Sequence, residues 1–293
     1  MDSVHRPVLV DDVVRLLGGS GLVIDATVGL GGHALALLDG GVRAIVGVDR
    51  DASALRRAEE RLAAFGPRFR TVRSRFSAIA DAVRRAGVAE ADGVLMDLGV
   101  SSMQLDEPAR GFGFRVAGPL DMRMGGEEGP VAADVVNNYP EEELARVIFE
   151  YGEERFSRRI AGAIVRARAR APLQSTDELA RIVAGAVPSK RGGPHPARRT
   201  FQAIRIEVNQ ELEELAAALP QAAGLLRGGG RLVVIAYHSL EDRLVKRFVR
   251  DESTLRPLTK KPLRPGAQET AANPRARSAR LRAAERRVGE EGP

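Results

Sequence analysis

Residues 22–51, LVIDATVGLGGHALALLDGGVRAIVGVDRD, decide the fold. A short apolar run, Leu22 to Ile24, passes through Asp25 into a loop holding Gly29, Gly31 and Gly32; an apolar-periodic stretch follows, and a second apolar run ends at Asp49. Short apolar runs punctuated by glycine read as buried strands and the longer periodic stretch reads as a helix. The segment is therefore a strand, a glycine turn, a helix and a parallel strand. Glycine allows the turn to bend sharply and lets a ligand approach the amides at the helix start. An acid about twenty residues beyond the first glycine stands where a nucleoside ribose offers its hydroxyls. This is the pattern of a nucleoside-cofactor site.

Glycine spacing alone leaves the cofactor open, because Gly29, Gly31 and Ala34 also satisfy the relaxed dinucleotide pattern of an oxidoreductase. Asp25 tilts the balance. A carboxylate at the end of the first strand welcomes an ammonium group and repels a pyrophosphate lying on the helix start. S-adenosylmethionine carries an amino group and a sulfonium but no phosphate, so it suits such a strand end.

Outward from this core the same rhythm continues. Val8 to Gly18 predicts a helix before the first strand, 52–65 an amphipathic helix, 69–76 a third strand, 77–88 a helix and 94–98 a fourth strand ending beside Asp97. Such alternation argues for a parallel sheet wound by right-handed crossovers, whose ligands collect at the carboxyl ends of the strands. That places Asp25, Asp49, Phe76 and Asp97 at one edge, with Phe76 available to pack on a purine ring or simply to fill the core. The rhythm breaks from Ser101 to Gly129, a polar, glycine-rich stretch with neither period, and amphipathic helices occupy 131–187. Residues 106–205 read as an all-helical insertion, and 1–105 with 206–293 as the α/β domain. On the return, 206–226 predicts one helix, Gly228 to Gly230 a turn, 231–238 a fifth strand, 239–251 a helix, and 279–286 a weak edge strand.

Composition bounds the function classes. The 293 residues have 44% hydrophobic content and only 4% aromatic content, so the core rests on Leu, Val, Ile and Ala. With no cysteine, disulfides, thiolate metal sites and covalent cysteine chemistry on pyrimidine carbon 5 are excluded. No apolar run is long enough to cross a bilayer and no secretory leader is evident, so a cytoplasmic protein without membrane attachment is expected. The net charge of +6 is unevenly spread: Arg155 to Arg205 holds twelve basic residues against two acids, and Thr254 to Pro293 ten against four. The remainder is net acidic, and an acidic body with two basic segments suits a polyanionic substrate such as nucleic acid, unless the arginines merely solvate helix faces.

Seven stretches, DATVGLGGH (25–33), DLGVSSMQLD (97–106), RGFGF with GPLDMRM (110–124), GEERFSRRIA (152–161), HPARRTFQAIRIEVNQEL (195–212), HSLEDRLVKRFVR (238–250) and NPRARSARLRAAER (273–286), resemble the bacterial MraW/RsmH family in one order and nearly end to end. The resemblance implies a class I S-adenosylmethionine-dependent methyltransferase, Rossmann-like with a helical insertion that recognises substrate. It further implies methyl transfer to N4 of a cytidine in the decoding region of 16S ribosomal RNA, within the small ribosomal subunit. The family's cofactor contacts fall on Gly31, Gly32 and His33, then Asp49, Phe76, Asp97 and Gln104. One departure is Gly113, where the family pattern RGFSF has serine.

A cytosine amine is a poor nucleophile because its lone pair is delocalised into the ring, so groups that accept its hydrogens assist attack. DNA amino-methyltransferases supply them from a (D/N/S)PP(aromatic) motif after the fourth strand, where this chain has DLGVSS. Asp97, Ser101 and His238 are the candidates for that role, with His238 alternatively part of a helix cap formed by Ser239. Arg123, Arg198 and Arg199 are the candidate phosphate contacts, and His5 and His195 lack partners at metal spacing, so no metal is expected. Two rivals remain on the residues alone. A nucleotide-cofactor oxidoreductase accepts the glycine turn but leaves the basic insertion unexplained, and a non-catalytic ribosome-assembly factor explains the basic segments but not an acid-lined cleft.

Overall fold

The computed structural model describes residues 7–125, 129–188, 193 and 195–288; His5 lies outside the described residues. Contacts divide the chain into two compact units, residues 1–99 with 212–293 and residues 100–211. In the first unit α1 (Val10–Leu17) precedes β1 (Leu22–Asp25), α2 (Gly32–Asp39), β2 (Ala44–Asp49), α3 (Ala52–Leu62), β3 (Phe69–Arg73), α4 (Ile79–Arg85) and β4 (Ala91–Asp97). The second unit carries α5 (Ser102–Asp106), α6 (Ala132–Asn138), α7 (Glu141–Gly152), α8 (Ser157–Arg168), α9 (Thr176–Ala186) and α10 (Arg198–Asn209). The chain then continues with α11 (Glu211–Leu225), β5 (Leu226–Ala236), α12 (Ser239–Asp251), β6 (Leu255–Pro257), α13 (Ala267–Ala272) and β7 (Arg280–Arg286).

Successive strand residues point to opposite faces of a sheet, and here both faces are apolar. Ile24, Val46, Val94, Met96 and Val234 enter one core beneath α4, α11 and α12. Their neighbours Val23, Ile45, Leu95, Val233 and Ile235 enter the other, against α1, α2 and α3. The strand order among the described residues is β3-β2-β1-β4-β5-β7-β6, with β1 to β5 parallel and β7 antiparallel to both of its neighbours. This is the Rossmann-like class I arrangement that the sequence predicts. The winding reverses between β1 and β4, and ligands of open parallel sheets bind at such a switch point, outside the carboxyl ends. Asp25 and Asp97 are the last residues of those two strands.

Three elements differ from expectation. Gly228 to Gly230 do not turn the chain: β5 starts at Leu226 and runs through them, with an irregularity in register opposite Ala91 and Gly93. A Cβ on Gly230 would lie 2.9 to 3.2 Å from three carbonyl oxygens, so only glycine allows this close passage. The expected helix over 206–226 is two helices, α10 and α11, separated by Gln210 at φ +50°. β7 is not an edge strand because β6 covers it; three residues including a proline give no readable period. No helix of the described residues is long and apolar enough to cross a membrane.

The stretch after β4 that shows no period is anchored by burial in the second unit. Phe112, Leu120, Met122 and Met124 join a core with residues of α6 to α10. Asn209, at the end of α10 and 7% exposed, ties it down: its Oδ1 accepts from the Met124 amide at 2.8 Å, and its Nδ2 donates to the Met122 carbonyl at 2.7 Å. Met122 itself is held at φ +60°, a conformation a long side chain adopts only when its surroundings demand it. Asn209→Ala strands a buried amide and carbonyl, and is expected to lower stability by roughly 2 to 4 kcal/mol and to speed proteolysis within 111–125, as read by urea denaturation and limited digestion.

Candidate active site

The site grows from strand ends. β1 delivers Asp25, which is 1% exposed and accepts from the Thr27 amide at 3.2 Å. Thr27 in turn accepts from the Asp97 amide through its hydroxyl at 2.6 Å, so one side chain joins the ends of β1 and β4. The turn that follows needs glycine where φ is positive: Gly31 caps α2 at φ +74°, and a Cβ there would also press on Leu62. Asp49, closing β2, accepts from the Gly29 amide at 3.0 Å and from the Asp51 amide at 2.9 Å, which fastens the turn to the neighbouring strand.

Asp97 closes β4 and meets two rings. Tyr237 donates its hydroxyl to Oδ1 at 2.8 Å, and Nδ1 of His33 stands 3.6 Å from Oδ2. The other ring nitrogen of His33 lies 2.9 Å from the Val8 carbonyl. Burial favours the neutral ring, so Nε2 carries the proton toward Val8 and Nδ1 presents a lone pair to Asp97. Beside it, Gly32 packs so tightly on Pro7 that a Cβ would come within 2.9 Å of the proline ring. Residues 7–9 thus lie along the start of α2.

Burial dominates the electrostatics. It pushes Asp25 up to about 6, opposed by His33 and the Thr27 amide. It pushes Asp97 up to about 7, opposed by the Tyr237 hydroxyl; with 24% of the Asp97 side chain open, solvent tempers that rise. Asp49 is also raised by burial, against two amide hydrogen bonds. A cluster of acids held short of easy ionisation gains from a cation and would repel phosphate. The donor set fits a ligand with ammonium and sulfonium charges. Phe76, half-buried in the turn after β3, packs against the core beneath that edge.

The remaining predicted residues divide as follows. Asp25, Gly31, Gly32, His33, Asp49, Phe76, Asp97 and His238 belong to the first unit, whereas Ser101, Gln104, Arg123, Arg198 and Arg199 belong to the second. Ser101 and Gln104 bond each other in a capping box at the start of α5, the serine hydroxyl accepting from the Gln104 amide at 3.2 Å and the Gln104 Oε1 from the Ser101 amide at 2.9 Å. Gln104 also donates to the Met124 carbonyl at 3.2 Å. His238 is itself the cap of α12: its Nδ1 faces the Glu241 amide at 3.4 Å, so the ring, not the Ser239 hydroxyl, fills that place. The guanidinium of Arg123 is committed to Asp121 at 2.7 and 3.0 Å. Arg198 is exposed, and Arg199 donates to the Glu153 carbonyl at 3.0 Å while staying 57% open.

Tyr237 and Thr27 were not predicted. Nothing in the sequence pairs Tyr237 with Asp97. That contact follows from β4 and β5 being neighbours, with Asp97 level with Ile235.

A family model described as the MraW methylase family matches residues 2–287. A protein of Carboxydothermus hydrogenoformans named ribosomal RNA small subunit methyltransferase H is 49% identical over 307 residues, covering 98% of this chain and 99% of its own. One of the same name from Methylobacterium sp. is 51% identical over 307 residues, covering 96% and 90%. Among solved structures, a putative methyltransferase from Streptococcus mutans in complex with SAH is 13% identical with a TM-score of 0.44, covering 94% of each chain.

The raised pKa of Asp97 has a stability consequence with a definite sign. Between the ordinary carboxylate value of 3.8 and about 7 the folded protein holds a proton that the unfolded chain has released, so this group's contribution to stability falls as pH rises through that window. Asp97→Asn cannot titrate. Relative to the variant, the ligand-free wild type is expected to lose stability steadily from pH 4.5 to pH 7.5, measured as the difference in urea midpoints. A difference flat in pH would show that Asp97 ionises normally.

Proposed function

The chain belongs to the MraW methylase family, and from that membership we propose that it transfers a methyl group from S-adenosylmethionine to the exocyclic N4 of a cytidine in the decoding region of 16S ribosomal RNA. The observation that carries this reading is the carboxylate row around a glycine turn, Asp25 fully buried and Asp49 and Asp97 half-buried, all three pushed up by loss of solvent. It stands in a chain whose relatives, alike end to end, are named as methyltransferases of small-subunit ribosomal RNA. A nicotinamide or flavin enzyme would need that edge to hold a pyrophosphate, and the acids oppose it. A non-catalytic assembly factor would have no use for buried acids whose ionisation costs stability.

S-adenosylmethionine supplies an electrophilic methyl group on a sulfonium. In this chain Asp49 offers its remaining lone pairs to ribose hydroxyls, and Phe76 offers a ring face to adenine. The backbone at Gly31 and Gly32 permits close approach, while Asp25 and Asp97 answer the ligand's positive charges. Methyl transfer is an in-line displacement that depends chiefly on alignment. On taking the methyl group, with the methyl–sulfur bond broken and the sulfonium leaving as a neutral thioether, N4 would shed one proton, and Asp97 is suited to accept it because a carboxylate held near neutrality is a stronger base than an ordinary one. Tyr237, donating to Oδ1, holds Asp97 oriented and limits the rise of its pKa. The reaction takes place in the cytoplasm, on RNA of the small ribosomal subunit, with Arg198 and Arg199 of the second unit as phosphate contacts.

Incubation of small-subunit ribosomal RNA with the protein and labelled S-adenosylmethionine, followed by mass mapping, is expected to place the label on N4 of a cytidine of the decoding region. Label on another base or on protein would refute the assignment. Asp49→Ala is expected to weaken binding of the methyl donor with RNA affinity unchanged, and Arg199→Ala the reverse, with a shallower salt dependence of RNA binding. Tyr237→Phe removes the donor that restrains Asp97, so the acid limb of kcat against pH is expected to move to higher pH; a fall in kcat with the limb unmoved would make Tyr237 structural only.

A further inference from the structure

The second basic segment of the sequence takes no part in the mechanism above, and the fold gives it a place. β7 runs antiparallel, so its first residue, Arg280, pairs with Ala236, the last residue of β5. The start of β7 therefore lies on the sheet edge where β1, β2 and β4 end in Asp25, Asp49 and Asp97. Residues 260–264 are tied to the same point, since Leu263 and Leu281 exchange backbone hydrogen bonds, each 2.9 Å long. Along one edge the strand ends thus pass from acids on β2, β1 and β4, through Tyr237 and His238 after β5, to bases beside β7.

These bases are poorly neutralised. Lys260, Lys261, Arg264 and Arg277 are exposed, and among the described residues none has a carboxylate partner. The nearby acids are engaged elsewhere: Asp242 receives the Arg282 guanidinium at 2.6 Å, and Glu269 accepts the Leu9 amide at 2.7 Å. Arg280 reaches Asp242 only at 3.4 Å, and its Nε is buried without a partner. The start of β7 is two strand spacings, about 10 Å, from β4. That distance suits the backbone of the nucleotides flanking a base presented at Asp97.

We propose that Lys260, Lys261, Arg264 and Arg277, around the start of β7, form a phosphate-binding flank on the first unit that grips the substrate RNA beside its target base. This rests on the methyltransferase reading. The charge along the edge then sorts two ligands: acids take the cationic methyl donor and bases take the polyanionic acceptor. Contacts to phosphates fix the register of the RNA without reading its bases, so the flank positions rather than specifies.

The test compares the variant Lys260→Ala/Lys261→Ala/Arg264→Ala/Arg277→Ala with Arg84→Ala/Arg85→Ala, exposed arginines at the far end of α4 near the opposite sheet edge. For the first variant the affinity for small-subunit ribosomal RNA is expected to fall at least tenfold at moderate salt. The slope of log K against log salt should shrink by about 3, as four lost phosphate contacts predict. The KM for RNA should rise while the dissociation constant of S-adenosylmethionine and the urea midpoint stay as in the wild type. Unchanged RNA affinity and slope, with the wild type methylating RNA normally, would overturn the flank and leave the function standing. Equal losses in both variants would reduce it to diffuse attraction and overturn it. Loss of methylation only on intact subunits, with naked RNA bound as before, would assign the surface to a protein partner and overturn it too. A wild type that neither binds nor methylates the RNA would remove the underlying reading, and the flank with it.

Discussion

Asp25, Asp49 and Asp97 must be kept at adjoining strand ends with little water around them, and much of the surrounding structure answers that demand. Burying a carboxyl group is costly unless it finds donors or keeps its proton. Both solutions appear. Asp49 takes two amides, and the turn containing Gly29 is fixed because one of those amides belongs to it. Asp97 takes the Tyr237 hydroxyl and faces the lone pair of a neutral His33, and its pKa is pushed up to about 7. Asp25 has one weak amide partner and is pushed up to about 6. The sheet supplies the rigidity, since its strands are packed on both faces and cannot shift to relieve the crowding.

The same demand explains why Thr27 and Tyr237 matter although neither is acidic. Thr27 spans the gap between β1 and β4, where the winding reverses and no crossover helix closes the sheet from above. Tyr237 extends β5 toward Asp97, and the hydrogen bond opposes the rise that burial imposes. The tyrosine's own proton is correspondingly hard to remove, so it remains a donor across the working range of pH.

The stretch from Leu22 to Asp49 was legible because every local signal agrees: short apolar runs, positive-φ glycines and acids at strand ends. The start of β5 departs from expectation because three successive glycines usually turn a chain. Here they let β5 pass close against the backbone at Ala91 and Asp92. The segment after β4 looked formless because its order comes from a distant residue. Asn209 satisfies the backbone of Met122 and Met124 from 85 to 87 positions away, and no window on the sequence contains both ends. Tyr237 was missed for the same kind of reason, since its partner is set by strand order. The capping box of Ser101 and Gln104 spans only four residues and shows that two suspected site residues also begin a helix.

A site built this way is held in a state that its own stability opposes. Above the pH at which the acids ionise, the free protein carries buried negative charge with too few donors, and it gains when a cation arrives. Replacing the acids with neutral residues would relieve that cost and remove the reason for a sulfonium to enter. The preference for the methyl donor and the cost of ionising these acids are therefore one property. The basic residues near β7 do not cancel it, because they face solvent, where charge is screened within about 10 Å at moderate salt, whereas the acids interact through the protein interior. Opposite charges can thus share one sheet edge without collapsing into ion pairs, and the gradient between them persists for two ligands of opposite sign to use.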